Sequence, residues 1–273
     1  MNFKSLLSLL HKAGEAVREI YFQPFEVYWK GEDDPLTQAD LKVNAILTKG
    51  LQEFFPEDGI LSEEEKQFLN RRDFSKIWII DPIDGTKEFI DKNPEFAISL
   101  GLAIDGKPEL GFIINPATTE AFYGGEKYGL YFTPNFLSTP YQPFSFNFET
   151  SKKPRLLLSR SEVKEGLFED EYWQKNFSIQ AIGSIAYKLA LLAFGRADVL
   201  VSVRPKNEWD VCGGIALVKA AGLECLTLQT LQEYRFNEEN LIKPGLLAGK
   251  KEIISYMIET KAEFLKNSYR PRK

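Results

Sequence analysis

Two aspartates stand three residues apart in Asp81-Pro82-Ile83-Asp84-Gly85-Thr86, directly after the apolar run Ile77-Trp78-Ile79-Ile80. Carboxylates gathered at the end of a buried strand suit a hard divalent cation such as Mg²⁺, which takes oxygen ligands from carboxylates and from substrate phosphate. Pro82 restrains the backbone between the two acids, Gly85 permits a sharp bend, and Thr86 can open a helix whose free N–H groups suit a phosphate. Read alone, the segment is equally an Asp-Pro turn with a threonine cap. Two further acidic sites add to it: Glu63-Glu64 after Ile60-Leu61, and Asp210 after Trp209. Each of these also has a structural explanation. Residues 63–65 read as a solvated charge run, and Asp210 as the N-cap of a small-residue helix over 211–221.

The remaining chemistry-bearing residues are sparse. His11 is the single histidine and falls within a helical pattern, so a serine or cysteine triad has no second candidate base. Cys212 and Cys225 are the two cysteines, too few for a secreted disulfide framework, and read as buried thiols of a reducing cytoplasm. Any catalysis must therefore rest on the carboxylates.

The elements that position them follow from periodicity. Leu6, Leu10, Ala13, Val17 and Ile20 recur at helical spacing, which opposes reading the N-terminus as an export signal. A strand is expected at 27–29, a turn-rich acidic loop at 31–35, and a helix opening at Thr37-Gln38-Ala39-Asp40, with Thr37 and Asp40 forming a capping-box-like pair. Strands follow at 60–61, 77–80, 96–104, 110–114, 120–123 and 130–132. Residues 133–153 hold three prolines and six serines or threonines, so 136–153 is the expected linker between halves at 1–135 and 154–273. The second half alternates strands at 155–159, 178–182 and 199–201 with helices at 184–194, 211–221 and about 251–265, as a layered α/β domain does.

Together, Asp81-Pro-Ile-Asp84-Gly-Thr86, the upstream Glu63-Glu64 and the downstream Trp209-Asp210 with Gly213-Gly214 resemble the inositol monophosphatase superfamily of magnesium-dependent, lithium-sensitive phosphatases. The resemblance covers about residues 5–260 and implies a five-layered α-β-α-β-α sandwich. It implies that Glu63 and Asp81, with the Ile83 carbonyl, hold a first Mg²⁺, that Asp81, Asp84 and Asp210 hold a second, and that two or three ions bind in all. It further implies that Thr86 with Asp40 polarises the attacking water, with Glu64 close by, and that the backbone at Gly85 and Thr86 holds the phosphate. A metal-activated water needs no covalent enzyme intermediate.

For the substrate, Thr86-Lys87-Glu88-Phe89 and Ser159-Arg160-Ser161 resemble the bacterial 3′(2′),5′-bisphosphate nucleotidase branch. The position where inositol phosphatases carry a hydroxyl-binding glutamate is here Val203. A second phosphate needs cationic or helix-N-terminal partners away from the metals, and Ser159, Arg160, Gly183, Ser184, Lys188, Arg204 and Lys206 are the candidates. Ile185-Ala186-Tyr187 and Pro205-Lys206-Asn207-Glu208 depart from that branch and resemble more broadly classified bacterial members. The expected reaction is hydrolysis of 3′-phosphoadenosine 5′-phosphate to AMP. The alternatives are an inositol or sugar-phosphate phosphatase with the same mechanism, or a metabolite-binding protein without catalysis. An aspartyl-phosphate mechanism of the haloacid-dehalogenase kind spaces its aspartates by one residue, whereas two separate Asp81 from Asp84.

The totals agree with a small phosphorylated metabolite as partner. A net charge of −5, from 34 basic and 39 acidic residues, opposes a nucleic-acid polymer as ligand. No apolar run reaches the ~20 residues that span a bilayer, so no membrane partner is expected. The expected assembly is a monomer or homodimer in the cytoplasm.

Overall fold

The computed structural model describes residues 3–31, 34–65, 70–145 and 152–267. Chain order begins with α1 (Phe3–Tyr21), β1 (Val27–Gly31), β2 (Asp34–Thr37), α2 (Gln38–Phe54), β3 (Gly59–Ser62), β4 (Lys76–Asp84) and α3 (Thr86–Ile90). Then come β5 (Ala97–Ile104), β6 (Lys107–Ile114), β7 (Ala121–Gly125), β8 (Gly129–Thr133) and β9 (Gln142–Phe144). The rest comprises β10 (Arg155–Ser159), α4 (Arg160–Lys164), α5 (Glu171–Asn176), β11 (Ser178–Ile182), α6 (Ile185–Ala193), β12 (Val199–Ser202), β13 (Lys206–Asn207), α7 (Glu208–Ala220), β14 (Glu224–Thr227), β15 (Ile242–Lys243), β16 (Leu246–Gly249) and α8 (Lys251–Asn267).

A seven-stranded sheet runs in the order β3-β4-β5-β6-β7-β8-β9, and a five-stranded sheet in the order β11-β10-β12-β16-β14. Alternation along β4 shows how the layers form. Trp78 and Ile80 face a core shared with Leu6, Leu10, Val17, Val43 and Leu47 of α1 and α2. Ile77 and Ile79 face the opposite core, shared with α6, α7 and with Leu157, Leu200 and Ala248 of the second sheet. The far face of that second sheet, with Leu156, Val201 and Leu247, packs on Trp173 of α5 and Ile254 and Met257 of α8. The result is the five-layered α-β-α-β-α sandwich.

Several local expectations need correction. The loop expected over 31–35 contributes β2, which pairs antiparallel with β1. Within the expected linker, Gln142–Phe144 instead adds β9 to the edge of the first sheet, while residues 146–151 lie outside the described residues. Phe136 is buried in the α1–α2 core. Asp210 is not an N-cap: α7 begins at Glu208, with Asn207 as cap residue and Asp210 two residues into the helix. Its Oδ2 accepts the Asn207 N–H at 2.8 Å, the reaching-back bond of a capping box. Thr86 does open a helix, but α3 has only five residues.

Candidate active site

β4 continues as a strand through Asp84, yet its pairing with β5 slips: Asp81 lies opposite Ser99 and Asp84 opposite Ala97. Three steps along β4 therefore match two along β5. Pro82, with no N–H to give the ladder, sits inside this bulge. The bulge aims both aspartates to one side, and the Asp81 carboxylate is held by the Ile83 N–H at 3.0 Å. Gly85 follows at φ 95°, a left-handed conformation that strains any residue with a Cβ.

Two aspartates reach the site from helix N-termini by the same device. Asp40 on α2 accepts from the Thr37 N–H at 2.8 Å and the Thr37 hydroxyl at 2.6 Å through one oxygen. Asp210 on α7 makes the matching bond to Asn207. Each is the reaching-back acid of its helix's capping box, and Asp210 also lines the cavity described next. α7 comes close enough because glycines meet at the contact: a Cβ on Gly111 of β6 would lie 1.9 Å from the Gly213 carbonyl oxygen.

A cavity of about 1070 Å³ opens over the ends of both sheets. Glu63, Asp81, Ile83, Asp84, Gly85, Thr86 and Asp210 line it from one side. Ser159, Arg160, Gly183, Ser184, Lys188, Arg204 and Lys206 line it from the other. Asp40 and Glu64 lie off this wall. Thr86 donates its hydroxyl proton to the Ile83 carbonyl at 3.1 Å, while Asp40 is engaged by Thr37. Neither makes a hydrogen bond to the other here.

The acids have unusual proton affinities. Burial, then the charges of Glu63, Asp84, Asp210 and Asp40, raises Asp81 well above the ordinary carboxylate range. Burial first and Asp210 next push Asp84 to about 6. Burial pushes Glu63 to about 7, with Lys30 opposing and Asp210 and Glu64 reinforcing the rise. Asp40 rises to about 6, mainly by burial and against its bonds from Thr37.

Among the described residues, no three acidic, histidine or cysteine side chains converge closely enough to hold an ion as they stand. Internal donors occupy them instead. The Lys30 ammonium lies 2.9 Å from both Glu63 Oε1 and Glu64 Oε1. One oxygen of Asp84 takes the Ser184 hydroxyl and the Ala186 N–H, the latter at 2.6 Å. The donor set nonetheless suits a hard divalent cation. It is all oxygen, is rich in carboxylates, and its excess negative charge already draws in an ammonium. Side-chain rotation of Glu63 away from Lys30 is what ion binding would require.

The opposite wall is more committed than its sequence suggests. Lys188 is buried, and its ammonium donates to Ser159 Oγ and Ile182 O at 3.0 Å each and to the Gly183 carbonyl. Burial pushes it down to about 8. Lys206 donates to the Arg204 carbonyl at 3.0 Å, and Arg204 pairs with Glu165. Arg160 is gripped by Glu95. Lys30, Glu95 and Glu165 escaped sequence reasoning. No motif marks, for any of them, the partner that folding brings to it.

Val203, at the position of the inositol phosphatases' glutamate, is fully buried and points no polar group at the cavity. The sequence and the fold have counterparts among known proteins. A profile described as the inositol monophosphatase family matches residues 3–260. The 3′(2′),5′-bisphosphate nucleotidase CysQ of Salmonella typhimurium is 28% identical over 245 residues, 89% of this chain and 97% of that protein. A Thermotoga maritima protein named fructose-1,6-bisphosphatase/inositol-1-monophosphatase is also 28% identical, over 88% of this chain and 90% of its own length. The crystal structure of CysQ from Bacteroides thetaiotaomicron superposes with a TM-score of 0.75 at 29% identity, covering 92% of this chain and 98% of that one. With its carboxylates carried by strand ends of the first sheet and by the start of α7 in that same fold, the chain belongs to the inositol monophosphatase family and is a phosphatase.

Proposed function

We propose that this phosphatase removes the 3′-phosphate of 3′-phosphoadenosine 5′-phosphate, leaving AMP, with Mg²⁺ as its cofactor. The observation that carries the reading is the division of the cavity lining between acids and bases: Glu63, Asp81, Asp84 and Asp210 share it with Arg160, Lys188, Arg204 and Lys206. A substrate with two separated phosphates matches that division, one phosphate at the acids through metal and one at the bases. The nucleotidase activity for which the Salmonella typhimurium relative is named supports the same choice.

Glu63, Asp81, Asp84 and Asp210, with the Ile83 carbonyl, would hold the metal. Bound there, Mg²⁺ neutralises phosphate charge and makes a water acidic enough to attack near neutral pH. The chain's own residues do the rest. Because Thr86 spends its proton on Ile83, its oxygen is left to accept a hydrogen bond from the attacking water. Asp40, anchored by Thr37, would contribute its charge from behind the cavity, as it does to Asp81, and Glu64 holds Lys30. The backbone at Gly85 and Thr86 lines the phosphate's side of the cavity. Lys188 acts on the second phosphate through its field and by fixing Ser159 and Gly183. Two free, buried thiols suit a reducing cytoplasm.

A phosphate-release panel at fixed Mg²⁺ tests the choice, using 3′-phosphoadenosine 5′-phosphate, inositol 1-phosphate and fructose 1,6-bisphosphate. The nucleotide should show the highest kcat/KM, with no release once Mg²⁺ is chelated. Equal or better turnover of inositol 1-phosphate sinks the nucleotidase reading in favour of the inositol phosphatase reading and leaves the metal chemistry intact.

A further inference from the structure

Glu95 sits between α3 and β5, on the first-sheet side of the cavity, and no motif marks it. Its carboxylate receives three donors from the second-sheet side. Arg160 Nε donates to Oε2 at 2.7 Å, Arg160 Nη2 donates to Oε1, and the Gly183 N–H donates to Oε2 at 2.9 Å. Its backbone carbonyl takes a fourth, the Ser184 N–H at 3.0 Å. Ser184 in turn holds Asp84 and caps α6 by accepting the Tyr187 N–H at 3.0 Å. The contact is tight: a Cβ on Gly183 would lie 2.7 Å from the Glu95 carbonyl oxygen. One residue thus joins the arginine that opens α4 directly after β10, the start of α6 and, through Ser184, the bulge of β4.

We propose that Glu95 is a positioning residue that sets the orientation of Arg160 toward the substrate's non-reacting phosphate, a role that rests on the bisphosphate reading above. The fork of Arg160 is gripped along its Nε–Nη2 edge, which fixes the plane of the guanidinium and leaves Nη1 to the cavity that Arg160 lines. An ungripped arginine would have to lose its rotamer freedom on binding, so the grip lowers the cost of substrate capture. Gly183 is anchored by the same oxygen, so the backbone beside the guanidinium is set together with it.

The test is a double-mutant cycle of Glu95→Gln and Arg160→Ala, read as kcat and KM for 3′-phosphoadenosine 5′-phosphate and for 3′-AMP, which lacks the second phosphate. Thermal melts monitor folding of all four proteins. Glu95→Gln keeps the volume but leaves one carbonyl oxygen for three donors. It should raise KM for the bisphosphate about tenfold, as expected for loss of a charge-assisted pair, with a smaller fall in kcat and little change in KM for 3′-AMP. In the Arg160→Ala background the same change should add less than about twofold, because the group it orients is gone. Additive effects, or equal losses on both substrates that track a lowered Tm, overturn the proposal and leave Glu95 a purely structural tie. Should the wild type turn over 3′-AMP as well as the bisphosphate, it is the nucleotidase reading that fails. The cycle is then read with fructose 1,6-bisphosphate against inositol 1-phosphate, where additivity again counts against Glu95 and non-additivity for it.

Discussion

Asp81 is the most heavily shared of the site's acids. It is buried at the bulge, and the charges of Glu63, Asp84, Asp210 and Asp40 all bear on it. Asp81→Asn removes a charge without changing volume and should cut kcat by several orders of magnitude while the fold persists. Retention of more than about a tenth of wild-type activity, only ~1.4 kcal/mol in barrier, would remove Asp81 from the centre of the site. The raised proton affinities give a second expectation. Glu63, at about 7, and Asp84, at about 6, hold protons more tightly in the folded chain than their ordinary values of 4.5 and 3.8. Their protonated forms therefore favour folding, and that contribution is complete at acid pH and is lost as pH climbs toward about 7. The metal-free protein should lose this stability on going from mildly acid to neutral pH, and the rise in Tm on adding Mg²⁺ should grow over the same interval. Since protons and cations compete for the same oxygens, the acid limb of the activity profile should move to lower pH as Mg²⁺ is raised. A limb that stays in place over a hundredfold range of Mg²⁺ argues against metal binding by these acids.

At the scale of elements, the decisive contact is α7 on the first sheet. Gly213 offers its carbonyl to Gly111 on β6, and Gly213 itself has room for no Cβ, since one would lie 2.8 Å from the Leu100 carbonyl oxygen on β5. This approach brings Asp210 alongside Asp81 and Asp84. Gly111→Ala puts a methyl against backbone that cannot yield, so it should cost about 3 kcal/mol or more in chemical denaturation and lower kcat by displacing α7. Gly222, just after α7, is a fitting control. Its φ is 72°, but nothing lies within 4 Å of its added Cβ. Gly222→Ala should cost only ~1–2 kcal/mol of backbone strain and leave kcat/KM near wild type. Equal kcat for the two variants would show that α7's distance from the sheet does not set the site. The capping box of α2 was legible from Thr37-x-x-Asp40, because capping depends on neighbours three residues away, whereas the sequence reading of α7 makes Asp210 the cap itself rather than the reaching-back acid of its box. The start of α7 was misplaced because Glu208 is held by partners remote in sequence: Lys243 at 3.0 Å and the backbone of Asn237 at 2.7 Å.

For the whole molecule, α6 and α7 form a layer that both sheets share. Leu189 and Ile215 of these helices lie in one core with Ile77 and Ile79 of the first sheet and Leu157 and Leu200 of the second. Neither sheet can lose that layer without exposing a fully apolar face, so the halves should not melt separately. Differential scanning calorimetry of the metal-free chain should show one transition, with calorimetric and van't Hoff enthalpies agreeing to within about 10%. Two resolved transitions would mean that the cavity lies between independent domains. Among the described residues no helix is long and apolar enough to cross a membrane.

What the amino-acid order settled by itself is whatever depends on short-range pattern. The strand running into Asp81-Pro82-Ile83-Asp84, the cap at Thr37, the helix opened at Ser184 and the apolar runs of β4 and β5 are all local. So was the motif set that marks the family, since acids on strand ends and helix starts keep their spacing to the elements that bear them. Tertiary structure decided the rest, because charges pair through space. Only packing placed Lys30 on Glu63 and Glu64, buried Lys188 among three oxygens, and set Glu95 under Arg160 and Gly183. A single lysine or glutamate carries no sequence pattern that names its partner. Its role is fixed by the dielectric and the partners it meets after the sheets close on α6 and α7.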